Sequence, residues 1–287
     1  MSAIEPGRSD RPPESMTELP AERPGTALFR DMRDSLRERG FWAYSVWLDI
    51  LTRYRRMRLG ALWLLLPPIA YVFGLGYLYA SIMGGGNVAR FLPHLGLGYI
   101  LWRFSIQIIT EAADVFSAHQ AFIMDGRVRF SDYILRSFAK SVLFLAAGFL
   151  VVLVVLFGSP AIHQSLLPLL LVTVPIYILN IIWMATVVAL VGARFRDTKE
   201  VISTGLIFGF LLTPILWDAS LVPPDSIRGV VVRFNPFFHL IEFVRAPLFG
   251  IAPEPATLVV VGLMTVLGWA AAAYFYNRYA RFVPLWI

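Results

Sequence analysis

The segment from Leu51 to Met83 opens with a cluster of arginines and continues as a long stretch without charge. The cluster comprises Arg53, Arg55, Arg56 and Arg58. No charged residue occurs from Leu59 to Met83. At a rise of about 1.5 Å per residue, this stretch is long enough to cross roughly 30 Å of hydrocarbon. Because arginine is costly to move across a bilayer and is attracted to anionic headgroups, we expect the arginine-rich end to face the cytoplasm.

The composition agrees with a membrane protein. The chain is 57% hydrophobic and only 15% charged, whereas soluble domains carry about 25% charged residues. Its net charge of +6 could suggest nucleic acid, but the basic residues cluster at the ends of apolar runs, which favours membrane lipids as their partners. The absence of cysteine excludes disulfides, thiolate nucleophiles and cysteine-ligated zinc.

The region before the first apolar run has two parts. Residues 1–25 are rich in Pro, Glu, Arg and Ser and lack the hydrophobic core of a signal peptide, which predicts a disordered cytoplasmic tail. Residues 26–58 mix apolar and basic positions, which predicts an amphipathic helix lying in the membrane interface. A small soluble helical pair is the alternative, and direct continuity with a spanning segment argues against it.

Six apolar runs predict an all-α membrane domain with six transmembrane helices over residues 59–287. The runs are about Leu59–Met83, Phe91–Ile109, Tyr133–Phe157, Leu166–Val191, Val201–Trp217 and Ala256–Tyr276. Residues 218–255 combine several prolines with apolar pieces too short to span, and we expect re-entrant or surface-lying helices there, at the outer face before the last span.

The distribution of positive charge supports this topology. With the N-terminus inside and six alternating spans, twenty of the 25 Lys and Arg residues face the cytoplasm, four face outside and Arg103 lies within a span. This bias follows the positive-inside rule. We therefore expect both termini in the cytoplasm.

A short inner loop, residues 119–132, carries a small amphipathic turn at Ala121–Met124, followed by Asp125 and alternating basic residues. A short helix held parallel to the membrane can fit into a groove on a soluble partner. A plain connector between helices is the alternative.

Three motifs resemble the ABC-2-type permeases of polysaccharide exporters. Residues 55–63 (RRMRLGALW), with Pro67 and Pro68 beyond them, resemble the family's pattern at the start of its first span. Residues 91–102 (FLPHLGLGYILW) resemble its second helix, and residues 235–248 (NPFFHLIEFVRAPL) resemble its outer stretch before the last helix. The resemblance covers residues 26–287 and is strongest to permeases that export O-antigen or capsular polysaccharide.

The resemblance implies a partner set and two functional regions. It implies a homodimer in the bacterial inner membrane, bound to two copies of a separate ATPase subunit that holds Mg-ATP, with an undecaprenyl-linked polysaccharide as cargo. It implies a coupling helix seated on that ATPase, formed by Ala121, Phe122, Ile123, Met124, Asp125, Arg127 and Arg129. It implies a periplasmic gate containing Asn235, Pro236, Phe237, His239, Glu242 and Arg245.

Polar and aromatic residues within the spans are candidates for a cargo path. Arg103, Gln107, Glu111 and Asp114 fall three or four residues apart and form one stripe on the second helix. This stripe either lines a conduit that touches sugar or phosphate, or pairs with other helices to fix their packing. The aromatic candidates, which either stack on sugar rings or anchor the protein at the membrane surface, are Tyr71, Tyr77, Trp102, Trp183 and Trp217.

Signatures of an enzyme are missing. No glycine-rich phosphate loop precedes a Lys-Ser/Thr pair, so ATP hydrolysis is expected on another subunit. The four histidines lie far apart, and we expect no metal and no cofactor in this chain. Three alternatives to polysaccharide export remain open: an exporter of a teichoic-acid polymer or drug, an ATP-independent channel or carrier, and a membrane-embedded transferase, which the missing acid/base groups disfavour.

Overall fold

The computed structural model describes residues 27–55, 57–82, 88–124, 129–159, 164–223 and 225–287. Within these ranges the regular structure is helical, and no strand occurs. The tail predicted to be disordered lies outside the described residues.

The described residues in the first half of the chain form seven α-helices, with a π-helical turn at Ala70–Leu75 joining the third and the fourth. They are α1 (Ala27–Arg37), α2 (Gly40–Arg55), α3 (Leu66–Ile69), α4 (Gly76–Ile82), α5 (Val88–Ala112), α6 (Val115–Ala118) and α7 (Gln120–Met124). The second half adds α8 (Phe130–Phe157), α9 (Leu170–Arg194), α10 (Thr198–Leu212), α11 (Ile227–Arg233), α12 (Pro236–Leu248), α13 (Pro255–Tyr279) and α14 (Val283–Trp286).

Among the described residues, four helical segments are long and apolar enough to cross a membrane, which makes the chain a multi-pass membrane protein. They are Leu62–Ile82, Phe130–Phe157, Leu166–Arg194 and Pro255–Trp286. The predicted count of six is therefore not confirmed. The two predicted spans that are missing from this set correspond to α5 and α10. Helix α5 carries Arg103 and Glu111, which lower its apolar character, and most of its other side chains are buried among neighbouring helices. Helix α10 has only 15 residues.

Helix α5 lies at the centre of the bundle. It packs against α4, α8, α9, α10 and α12. Tyr177 of α9 is fully buried against it, and its hydroxyl donates to the Leu101 carbonyl at 2.6 Å. Close to the last turn of α5, Gly192 of α9 meets the backbone of Ala113 so closely that an added Cβ would lie 1.8 Å from its carbonyl oxygen.

The predicted interface segment consists of two helices rather than one. Helix α1 is anchored to the last turns of α13 and the first turn of α8. Tyr276 donates its hydroxyl to Asp31 at 2.6 Å, and the hydroxyls of Ser35 and Ser131 lie 2.7 Å apart. Helix α2 packs along α8 and leaves Trp47 61% exposed. The N-terminal helices, the start of α8 and the end of α13 thus share one end of the bundle, which we call the α1 end. The opposite end, where α12 lies, is the α12 end.

Candidate functional site

The predicted coupling loop contains a real but short helix at the α1 end. Helix α7 buries Ile123 and leaves Phe122 57% and Met124 62% exposed, with Ala121 exposed beside them. On its inner side α7 contacts α6 and α14. Asp125 and Arg127, which the sequence also placed in this region, lie outside the described residues. Helix α7 therefore presents an exposed apolar surface, formed by Phe122 and Met124, at the α1 end of the bundle.

Arg129 joins this loop to the corner between α1 and α2. Its guanidinium donates to the Glu38 carboxylate at 2.9 Å, across the corner between α1 and α2. The hydrogen bond and the charge of Arg129 lower the pKa of Glu38. The backbone N–H of Arg129 donates to Asp132 at 3.2 Å, which fixes the first turn of α8.

Sequence reasoning missed a second connection, made by Arg136 of α8. One of its terminal nitrogens donates to Asp49 of α2 at 2.6 Å, and the other contacts Nε2 of His119, directly before α7. His119 Nδ1 lies 2.7 Å from the Val115 carbonyl. Because a carbonyl only accepts and a guanidinium only donates, His119 is neutral with its proton on Nδ1. Burial, together with the charge of Arg136, lowers the pKa of His119.

The arginine cluster that opens the first span is only partly described. Arg55 and Arg58 are exposed, and neither forms an ion pair with another described residue. Arg56 lies outside the described residues, as does the side chain of Arg53. The two visible arginines suit contact with lipid headgroups.

The polar stripe of α5 divides into two functional parts. The part nearer the α1 end forms ion pairs and hydrogen bonds. Glu111 accepts from Lys140 of α8 at 2.7 Å and from Gln107 at 3.3 Å. Asp114 accepts from Lys199 of α10 at 2.5 Å. For these residues the structure favours the packing interpretation, because the ion pairs tie Glu111 of α5 to α8, and Asp114, just beyond the end of α5, to α10.

Arg103 differs from the rest of the stripe. It is exposed and has no hydrogen-bond or ion-pair partner among the described residues. It lies on a groove of about 60 Å³ lined by Trp63, Pro67 and Phe144. The groove places Trp63, from the motif at residues 55–63, beside the unpaired cation Arg103 of α5. Their separation along the chain does not reveal this relationship.

The aromatic candidates separate into one cluster and three isolated positions. Tyr71 stacks on Tyr99 with ring centroids 4.1 Å apart, and Trp102 contacts Phe210 of α10 and Phe237 of α12 at 5.9 and 5.0 Å. Tyr77, Trp183 and Trp217 lie elsewhere. Tyr77 is 57% exposed, Trp183 donates to Asn180 at 2.9 Å, and the Trp217 carbonyl lies 3.2 Å from Nε2 of His94.

At the α12 end, Arg245 forms the centre of the predicted gate. Its side chain is only 3% exposed and donates to Glu242 at 2.6 Å and to the Pro214 carbonyl at 3.0 Å. One terminal nitrogen also lies 3.0 Å from Nε2 of His94 on α5. Arg245 therefore clamps α12 to the start of α5 and to the chain just after α10.

Asn235 and His239 complete this clamp. The Asn235 side chain caps α12 by accepting from the Phe237 N–H at 3.0 Å, and its amide donates to Thr213 at 2.8 Å. His239 lies 2.7 Å from the Arg233 carbonyl and 2.9 Å from the Thr257 hydroxyl of α13. Burial lowers the pKa of His239. Pro236 begins α12, where it needs no hydrogen-bond donor.

No group of three or more His, Asp or Glu side chains suited to a metal occurs in the part of the chain that the structure describes. The arrangement offers contact surfaces, a groove with an unpaired cation, and a clamp.

Comparison with known proteins adds a relative of almost the same length. The chain is 24% identical to the O-antigen export system permease protein RfbA of Myxococcus xanthus over 262 residues, which cover 89% of this chain and 98% of that protein. No protein-family model matches the chain. The resemblance to polysaccharide-export permeases that the three motifs predicted is confirmed by this similarity.

Proposed function

We propose that this chain is the transmembrane subunit of an ATP-driven exporter that moves lipid-linked O-antigen or capsular polysaccharide from the cytoplasm to the periplasm. The observation that carries the proposal is the similarity to an O-antigen export permease over nearly the full length of both chains. Similarity of this extent favours a transporter over a catalytic enzyme.

The proposed topology has six spans in the bacterial inner membrane, with both termini cytoplasmic. Helix α5 extends from His94, beside α12, to Glu111, which pairs with α8, and Asp114 just after the helix pairs with α10 near the α1 end. At about 1.5 Å per residue, its 25 residues extend far enough to cross the hydrocarbon. Helix α10 and the chain up to Trp217 would form the fifth span. The positive-inside bias assigns the α1 end to the cytoplasm.

In this proposal the exposed face of α7 is the seat of a separate ATPase subunit. Phe122 and Met124 present apolar surface at the cytoplasmic end, where a soluble partner can cover it. Motion of α7 would reach the interface helices through Arg129 and Glu38 and through Arg136 and Asp49. Two ATPase copies, each binding Mg-ATP, would serve a permease homodimer.

The proposed cargo path uses the groove at Arg103. An unpaired guanidinium within a span attracts the phosphate of a lipid-linked glycan, and the neighbouring rings of Trp63 and Tyr99 suit stacking on sugars. The exposed apolar faces of Leu62–Ile82 and α10 are candidates for the dimer contact, which would open to let cargo pass. The clamp at Arg245 would hold the periplasmic gate closed.

Co-purification from native membranes tests this function most directly. We expect a nucleotide-binding subunit at a ratio near 1:1 and ATPase activity in the complex. Phe122→Asp combined with Met124→Asp should release that subunit, because a charged face cannot fit an apolar groove. The matched control, Ile227→Asp with Val230→Asp on the outer helix α11, should retain it, since Ile227 is 86% and Val230 59% exposed at the opposite end.

Three results would overturn parts of the proposal separately. A homogeneous oligomer without a nucleotide-binding subunit would refute ATP-driven export. Retention of that subunit by the α7 variant would refute the seat on α7. A deletion strain should accumulate undecaprenyl-linked glycan, and its absence would assign the exporter another cargo, such as a teichoic-acid polymer or a drug.

A further inference from the structure

An apolar groove of about 270 Å³ opens between α9, α13 and α14 at the α1 end. Its walls include Leu190 and Val191 of α9 and Phe275 of α13. Tyr279 and Trp286 lie at its rim, together with a single cation, Arg194. The lining contains no carboxylate. This groove is separate from the coupling face of α7 and from the Arg103 groove.

Arg194 lacks an acidic partner among the described residues. Its guanidinium carbon lies 5.8 Å from the ring centroid of Phe195 and 5.8 Å from that of Trp286. Aromatic contacts of this kind position a guanidinium without consuming its N–H groups. The five donors therefore stay available for an oxyanion, which a guanidinium can bind through two parallel hydrogen bonds.

The depth of the groove in the membrane follows from the helices that form it. Arg194 is the last residue of the candidate span Leu166–Arg194, and Trp286 is the last residue of Pro255–Trp286. Both therefore lie where hydrocarbon meets headgroups, the level at which tyrosine and tryptophan gather. The apolar walls extend from that level into the hydrocarbon.

We propose that this groove is a binding site for an anionic phospholipid of the adjoining leaflet. One acyl chain would lie along Leu190, Val191 and Phe275, and the phosphate would bind Arg194 beside Trp286. An unbalanced cation favours a lipid of net negative charge over a zwitterionic one, because the positive headgroup of the latter would meet no carboxylate in the groove. Since α14 also contacts α7, the bound lipid would touch the wall on which α7 lies.

Titration of the purified full-length protein with phosphatidylglycerol, followed by native mass spectrometry, tests the site. Arg194→Gln should weaken phosphatidylglycerol binding about five- to tenfold, since a single arginine at a membrane surface contributes on this scale. Arg281→Gln is the matched control. Arg281 lies at the same end of the bundle and 4.7 Å from the Phe282 ring centroid, but outside the groove, so we expect less than a twofold change.

A photo-crosslinking phosphatidylglycerol, with a diazirine on its acyl chain, tests the position independently. Labelling should fall on peptides containing Leu190, Val191 or Phe275, and phosphatidylcholine with the same acyl probe should label them less. Equal weakening in both arginine variants, or equal labelling by the two lipids, would overturn the proposal. Protection of the groove by a second copy of the chain or by an ATPase subunit would also overturn it. The readouts are binding and labelling, so their outcome is independent of the export function.

Discussion

Replacement of Arg245 by methionine gives the sharpest test of the clamp at the α12 end. Methionine keeps an unbranched side chain as long as the arginine stem up to Nε, and it removes the guanidinium with its hydrogen bonds to Glu242 and to the Pro214 carbonyl. Removing one partner of a buried ion pair costs about 3–5 kcal/mol. The Glu242 side chain is 25% exposed and can be partly solvated. We therefore expect Arg245→Met to lower the free energy of unfolding by about 2–4 kcal/mol, somewhat less than for a fully buried pair.

The neighbouring pair of Arg233 and Glu254 supplies the control. It is longer, at 3.3 Å, and its side chains are 22% and 49% exposed. Arg233→Met should therefore cost less than about 1 kcal/mol. Unfolding of purified protein in mixed micelles with increasing sodium dodecyl sulfate measures both free energies. Similar losses in the two variants would show that burial around Arg245 does not set its contribution.

A double variant separates the lost pair from the buried charge left behind. Glu242→Gln removes that charge, so Arg245→Met combined with Glu242→Gln should cost less than the sum of the single changes, by about 0.5–3 kcal/mol. Strict additivity would refute the argument, because it would mean that the two side chains do not stabilise one another.

Three further perturbations test packing, the ion-pair connection at the α1 end and a titrating group. Gly192→Ala should destabilise by about 1–3 kcal/mol, because its Cβ would collide with the backbone of Ala113, whereas Gly262→Ala, with nothing within 4 Å, should be neutral or stabilise by up to about 1 kcal/mol in the same unfolding assay. Arg136→Gln should cost about 1 kcal/mol and, in the proposed complex with an ATPase subunit, lower the amount of cargo moved per ATP hydrolysed, since it breaks the link between α2 and the chain before α7. Unchanged export per ATP would count against that link. The lowered pKa of His119 means that the unfolded chain binds a proton more readily, so wild-type stability should fall as the pH drops below about 6.5, and His119→Gln should lessen this fall. Identical pH profiles of the two proteins would contradict the assignment.

Local patterns in the sequence anticipated the helical class and several of the elements. Uncharged length alone predicted the span that contains Pro67, and the apolar run to Phe157 matches the end of α8. The break between α1 and α2 was not anticipated, although Gly40 follows Arg37 and Arg39 there, because a single glycine within a run of mixed apolar and basic residues is a weak stop signal. The prediction of six spans rests on α5 and α10, whose composition and length do not reveal by themselves whether they cross the membrane.

The candidate site was predicted less completely than the fold. The stripe from Arg103 to Asp114 follows from helical periodicity, but its division into paired acids and a lone arginine depends on Lys140 and Lys199, which approach from other helices. The gate motif was recognised as a continuous stretch, whereas its partners come from three separate parts of the chain: His94 on α5, Pro214 just after α10 and Thr257 on α13. The link through Arg136 had no signal at all, because 87 residues separate it from Asp49.

The sequence by itself determined that the chain folds in a lipid bilayer. The insertion of long uncharged segments into the bilayer, and the position of arginines at their ends, depend on composition and not on packing. It also predicted the short helix at Ala121–Met124, because an amphipathic turn is a local pattern. Only the tertiary structure decided which charges are neutralised and which remain free to bind. Arg103 and Glu111 lie on the same face of α5. Glu111 pairs with a lysine of another helix, whereas Arg103 faces an open groove. Pairing is a property of neighbouring helices, and the energy of a charge depends on what those helices bring to it.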